Sequence, residues 1–313
     1  MIALLLLTGC NYEAMAPSWL IDRTRILGVQ AEVNGEPGLA EPRPGDRVSF
    51  RSLTAHPDYD DFAVTWMGCL PDEASNFGCE VDIEAVNALF DVDTEELTAQ
   101  ELLELLAQAQ ELGFLGFEPY FTPALQVPDD VLNGLTEEER LEGLNYFLTL
   151  SAFPMEEDES GELVEVDGLA DDDGLVELAY KRMPVSEAST PNHNPELASF
   201  EVDGIDIAAD QLLHVSAGQT YTLDPILGET AIEEYRYVTS DGAEETRIEE
   251  PYFTFYATGG TFDYNFSLYP YSAVDWTAPD DAVGEPHRVW VVVRDRRGGM
   301  GWWTLQLGVD TAP

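Results

Sequence analysis

Hydrophobic positions recur with two different periods along this chain, and each period predicts its own kind of element. From Ile26 to Val33, Arg47 to Leu53 and Phe62 to Met67, apolar and polar residues alternate with a period of two between Pro and Gly clusters. That pattern predicts strands of an antiparallel sandwich. Asn34 to Gly45 carries Gly35, Pro37, Gly38, Pro42, Pro44 and Gly45 and predicts a long turn. The period then lengthens. Asp82 to Phe90 and Thr98 to Leu112 predict helices, the second with Leu102, Leu105, Leu106, Ala109 and Leu112 on one face and Glu101, Glu104, Gln108 and Glu111 on another. Thr98 with Glu101, and again Thr136 with Glu139, stand at capping-box spacing, and Gly113 and Gly143 are placed to end the two helices. Strand patterns resume at Leu144 to Phe153 and Leu175 to Val185, with an exposed acidic hairpin or loop expected over Met155 to Gly174.

Ser186 to Glu196 (SEASTPNHNPE) is polar, and Pro191 and Pro195 disfavour both helix and sheet, so the linker between two domains is placed there. Beyond it the chain is nearly all strand. Thr261 to Leu268 alternates strictly, which predicts Phe262, Tyr264, Phe266 and Leu268 on one buried face. Val289 to Arg294, a turn over Asp295 to Gly301, and Trp302 to Val309 form a long hairpin. On its second arm Trp303, Leu305, Leu307 and Val309 share one face and Trp302, Thr304 and Gln306 the other. Trp302 is therefore the aromatic expected outside the core and the candidate ligand contact. The expected fold class is mostly β: two antiparallel β-sandwich domains, residues 20–190 with a helical insertion near 80–142, and residues 191–313.

Two resemblances refine this. Trp276-Thr277-Ala278-Pro279 and the run Val289 through Gly299 are similar to the "W-x-A-P" stretch and the "V-x-V-x-V-x-D-x-x-G-G" strand and turn of bacterial immunoglobulin-like (Ig-like) and PKD-like domains. This likeness covers about the last third of the chain, more weakly the first domain, and implies Ig-like sandwiches without implying a function. At the other end Leu7-Thr8-Gly9-Cys10 resembles the lipobox of bacterial lipoproteins, following the apolar run Ile2 to Leu7. The resemblance implies that Cys10 is lipidated and that residues 1–19 are signal remnant, lipobox and tether. With Asn11 after the cysteine, it implies an outer-membrane lipid anchor, on the periplasmic face or at the cell surface.

Composition narrows the partners. Among 313 residues, 44% are hydrophobic and 24% charged, a globular balance, but 61 acids against 14 bases leave a net charge of -47. Nucleic acid and anionic lipid surfaces are excluded as electrostatic partners, since both need clustered Lys and Arg and Lys181 is the only lysine. Apart from Cys10, the cysteines are Cys69 and Cys79, an even number in a compartment where disulfides persist, and they are expected to pair.

Catalytic motifs are absent from the sequence. It contains no Gly-x-Ser-x-Gly elbow, no phosphate-cradling loop and no Gly-x-Gly-x-x-Gly after a strand, so neither an enzyme nor a cofactor is expected. The weak calcium candidates are Asp58, Asp60 and Asp61, which lack EF-hand spacing and in so acidic a chain read first as a solvated loop. The function expected is a non-catalytic lipid-anchored envelope protein that binds, adheres or scaffolds, with a protein or glycan as ligand. The alternative is a carbohydrate-binding or carbohydrate-active surface protein using the aromatic-rich second domain.

Overall fold

The computed structural model describes residues 16–36, 38–70, 79, 83–90, 98–166, 174–209, 211–239, 243–280, 284 and 286–311. The first half runs β1 (Arg25–Val33), β2 (Arg47–Ala55), β3 (Asp61–Cys69), α1 (Ile83–Phe90), α2 (Ala99–Glu111), β4 (Phe114–Glu118), β5 (Ala124–Gln126), α3 (Glu137–Glu142), β6 (Leu144–Glu157), β7 (Leu163–Glu165) and β8 (Glu177–Val185). The second half runs β9 (Leu197–Val202), β10 (Ile205–Ile207), β11 (Leu212–Ser216), β12 (Thr220–Leu227), β13 (Glu234–Val238), β14 (Glu244–Ile248), β15 (Tyr252–Ala257), β16 (Thr261–Phe262), β17 (Phe266–Leu268), β18 (Val274–Thr277), β19 (Pro286–Arg294) and β20 (Met300–Asp310).

The protein is mostly β. In the first sandwich one sheet is ordered β1-β2-β5 and the other β4-β3-β6-β7, with β8 also paired to β6. Val29, Val48, Phe50, Trp66, Leu148, Leu150, Met183 and Val185 pack between them. These are the inward positions of the alternating strands, which is why a period of two suffices to find them. Helices α2 and α3 begin where expected: Thr98 and Thr136 accept from the N–H of Glu101 and Glu139, whose carboxylates reach back to the caps. On α2, Ala109 is fully buried and Leu106 and Leu112 pack beside Met67, Val86 and Phe114; the side chain of Leu102 lies outside the described residues. The insertion is not purely helical, because β4 and β5 lie within it and join the two sheets.

The second sandwich stacks the sheet β10-β9-β12-β18-β16 on the sheet β11-β20-β19-β15-β17. Phe200, Leu223, Phe253, Phe255, Trp276, Val291, Leu305 and Leu307 fill its core. One pairing departs from the antiparallel expectation, since β11 runs parallel to β20. The strictly alternating strand expected over Thr261 to Leu268 is a second correction. The chain changes sheets at Asp263–Asn265, so that Phe262 pairs with Trp276 in one sheet and Phe266 with Thr254 in the other. The crossing re-aims the side chains: Ser267 is buried, while Phe266 and Leu268 are 48% and 44% exposed and Tyr264 is 79% exposed. Alternation predicts a face only while the backbone stays in one sheet.

Cys69 and Cys79 are disulfide-bonded, with alpha carbons 5.4 Å apart across a sequence separation of 10. The bond ties the end of β3 to the segment before α1. Reduction should therefore lower stability by about 2–3 kcal/mol on the chain-entropy account. Melting curves with and without reductant, paired with intact-mass measurement of alkylated protein, check this, and an unchanged melting temperature would contradict it.

Candidate functional site

Two regions of the second sandwich gather aromatic and charged side chains: its junction with the first sandwich and its free edge at β17. The junction is built on the turn between β19 and β20. Asp295, 2% exposed, caps this turn, its Oδ1 accepting from the N–H groups of Arg297, Gly298 and Gly299 at 2.7, 3.0 and 3.0 Å. The glycines do more than turn the chain. A Cβ at Gly299 would stand 2.7 Å from the His193 carbonyl oxygen, and one at Gly301 2.2 Å from that of Pro195, so only glycine lets the two backbones meet.

The segment that the sequence presents as a linker is consequently a strap pinned by buried anchor residues, although Glu187, Ser189, Thr190 and Glu196 stay exposed. Asn192 is fully buried and Ser186 and Asn194 nearly so. Asn194 donates to the Ala31 carbonyl of β1 at 2.8 Å and accepts from the Met300 N–H of β20 at 3.0 Å, satisfying one backbone group from each sandwich. Polarity here marks hydrogen bonding across a junction instead of solvation.

Arg297 organises the charges. Its Nη1 lies 3.2 Å from Glu233 and 2.9 Å from Glu249, the two residues at the base of the β13–β14 hairpin, and its Nη2 lies 3.4 Å from Glu41 of the first sandwich. Its guanidinium also covers the Tyr235 ring, 4.6 Å from the centroid. Glu233 further faces His193 Nδ1 at 2.6 Å. From the first sandwich, buried Lys181 donates to the Gly298 carbonyl. Burial pushes the Lys181 ammonium down to about 8, against the attraction of Asp295. Burial likewise pushes the Asp295 and Glu249 carboxyls above the ordinary carboxylate range, although hydrogen bonds from Asn192, the turn and the Glu233 N–H oppose it. Glu41 accepts from the Ser186 hydroxyl and the Asn192 N–H as well as facing Arg297. Each junction carboxylate thus serves a structural bond.

Trp302 belongs to this junction. It is half-buried and packs with Ile21, Leu27, Ala55, Trp290 and Val292 between the sandwiches, with the Arg51 guanidinium 4.8 Å from its ring centroid. The alternation of β20 is as expected, since Trp303 faces the core of the second sandwich. The correction is that the outer face of that sheet is covered by the first sandwich, so Trp302 is not an exposed platform. Its rim lines a cleft of about 620 Å³ together with Gln30, Arg51, His193 and Trp303.

The exposed aromatics stand elsewhere. On edge strand β17 and the turn after it, Tyr269 is 45% and Tyr271 83% exposed, beside Phe266 and Leu268. Tyr252 of β15 lies 5.7 Å from Phe266, ring to ring, with the Arg294 and Arg296 guanidinium groups each 5.9 Å from its centroid. Tyr271 donates its N–H to Leu268 to close the turn. Tyr269 and Pro270 also wall a cleft of about 340 Å³ with Phe253, Ile226 and Ser272. The signal for this surface was the Tyr269-Pro270-Tyr271 turn, where proline ends the strand and releases both rings from its alternation.

The remaining candidates are separate. Asp58, Asp60 and Asp61 do not converge, Asp60 pairing with Arg288 of β19, and no group of three or more His, Cys, Asp or Glu side chains placed to hold a metal occurs among the described residues. Cys10 lies outside the described residues. No helix among the described residues is long and apolar enough to cross a membrane.

No protein-family model matches the chain, and no curated protein matches it. Among solved structures, a hypothetical protein from Saccharophagus degradans, nucleoside hydrolase-related and associated with carbohydrate metabolism, aligns with 12% identity over 50% of this chain, at a TM-score of 0.28. This chain spans 41% of that protein's length. The SGBP-B protein of a Bacteroides ovatus mixed-linkage glucan utilization locus, solved with a mixed-linkage heptasaccharide, aligns with 11% identity over 93% of this chain and 71% of its own, at a TM-score of 0.20. Likeness at these TM-scores carries no argument about this chain.

Because Trp302 fills the junction, its removal should cost stability. Trp302→Ala is expected to destabilise by about 2–4 kcal/mol, approaching the cost of Trp303→Ala. Denaturant melts of both variants check this; a loss below about 0.5 kcal/mol for Trp302→Ala, the range of a free surface residue, would contradict the packing described.

Proposed function

We propose that this is a non-catalytic binding protein of the bacterial envelope, tethered to the outer membrane through a lipidated Cys10, and that it holds a glycan on the aromatic edge of its second sandwich. The observation that carries the reading is the exposed set Phe266, Leu268, Tyr269 and Tyr271 on one sheet edge, with Tyr252 half-buried behind it. A group of exposed apolar side chains on one edge costs solvation and marks an interaction surface. Tyrosine suits a sugar in particular, because its ring face attracts the polarised C–H groups of a pyranose while its hydroxyl both donates and accepts. Arg296 stands beside Tyr252 and adds a planar donor at the rim, while Arg294 on the same ring is held by Thr254 and the Leu27 carbonyl.

A non-catalytic role is supported by the employment of the acids. The buried junction carboxylates cap a turn, clamp a hairpin or bind the strap, and at the aromatic edge Asp224 is held by the Ser272 hydroxyl.

The test is retention on a panel of insoluble and soluble polysaccharides. Tyr269→Ala and Tyr271→Ala should each weaken retention about tenfold, which is 1.4 kcal/mol, while leaving the melting temperature unchanged, since Tyr271 is 83% exposed. Wild-type protein that no polysaccharide retains, or variants that bind as well as wild type, would sink the glycan reading. The anchor is tested separately: with its secretion signal in a Gram-negative host, Cys10→Ala should move the protein from the membrane fraction to the soluble periplasm, and identical fractionation would contradict anchoring.

A further inference from the structure

The junction holds more buried acid than base. Glu41, Glu233, Glu249 and Asp295 converge on Arg297 and Lys181, with His193 against Glu233. Two basic side chains, Lys181 and Arg297, therefore face four carboxylates. A buried carboxylate without a full partner favours taking up a proton over staying charged.

The hydrogen-bond pattern around Asp295 accommodates that proton. Asp295 Oδ1 is fully used by the three turn N–H groups, while among the described residues Oδ2 accepts from the Asn192 amide, whose Nδ2 donates to it at 2.8 Å. Asn192 is completely buried, and its Oδ1 has no hydrogen-bond partner among the described residues. An amide presents a donor at one end and an acceptor at the other. Asn192 can thus offer N–H to the carboxylate or, turned over, its idle carbonyl to the carboxylic acid. Glu249 stands within the field of Asp295, so a proton on either relieves both.

We propose that the junction between the sandwiches is a proton-tightened lock, in which a proton taken up between Asp295, Glu249 and the idle end of the Asn192 amide holds the sandwiches together more firmly as the pH falls. Opening the junction returns both groups to water. Where the closed state binds more protons than the open one, lowering the pH favours closure; the penalty of burying charge is complete above the raised values and is relieved as pH falls through them. The groups facing the pair do not reverse this sign. Lys181 and Arg297 stay charged across pH 5–7, and Arg294 beside Lys181 likewise. Glu41 and Glu233 keep their bonds to the Asn192 N–H, Ser186, His193 and Arg297.

The experiment follows hydrogen-exchange protection at the Asn192, Asn194 and Met300 amides, corrected for intrinsic rates, from pH 7 downward, where Lys181 is already charged. Protection in the wild type should rise as pH falls, by up to about tenfold per pH unit for each proton taken up. In Glu249→Gln the slope should shrink, and in Glu249→Gln with Asp295→Asn it should vanish against amides in either core. Flat or falling protection in the wild type, or an undiminished slope in the variants, would overturn the proposal. Should the double variant not fold, carboxyl-carbon NMR of the wild type decides: Asp295 or Glu249 titrating above the free carboxylate range supports the lock, and both titrating within it overturns it. None of these readouts involves a glycan, so they stand or fall apart from the binding function.

Discussion

One guanidinium decides how the two sandwiches are held. Arg297 sits at the tip of the β19–β20 turn with a side chain only 15% exposed, and it reaches the hairpin base through Glu233 and Glu249 and the first sandwich through Glu41. Without it, three carboxylates would be left close together in a poorly hydrated junction; without them, a buried cation would be left bare. The turn that places it depends in turn on Asp295, and the approach of the strap depends on Gly299 and Gly301. The short run Asp295 to Gly301 thus carries the polar part of the architecture between the domains, beside the apolar cluster of Ile21, Leu27, Ala55, Trp290, Val292 and Trp302, while the two apolar cores carry the architecture within them.

That division separates structural aromatics from available ones. Trp302, Trp290 and Tyr256 lie on the outer face of the β11-β20-β19-β15-β17 sheet, where the first sandwich covers them. Phe266, Tyr269 and Tyr271 belong to the same sheet edge but lie beyond that cover, and they remain exposed. Strand register decides which side chains reach the outer face of this sheet, and the neighbouring domain decides which of those are covered.

This also explains what could be read in the sequence. Strands such as β1, β3, β6 and β8 were legible because alternation and burial are local consequences of a two-residue repeat. The helices were legible through Thr98 with Glu101 and Thr136 with Glu139, whose capping bonds close within four residues. The disulfide was legible by parity of cysteines. The junction was not, since the Pro- and Asn-rich strap has the composition of a solvated linker, and only its partners 100 or more residues away, Asp295 and Met300, reveal its anchor residues as buried. Trp302 was placed on the correct face of its strand, but a strand pattern carries no information about what lies over that face. At β17 the loss was of another kind, because a change of sheet mid-strand leaves no mark in an alternating sequence.

The central claim is that buried charge at the junction makes the two sandwiches a single unit. Scanning calorimetry of the intact chain and of Arg297→Ala at neutral pH tests it most directly. Wild type should unfold in one transition whose calorimetric and van't Hoff enthalpies agree. The variant, losing about 3–5 kcal/mol of junction energy, should resolve into two transitions, one for each core. Two independent transitions in the wild type, or a single unshifted one in Arg297→Ala, would contradict the account.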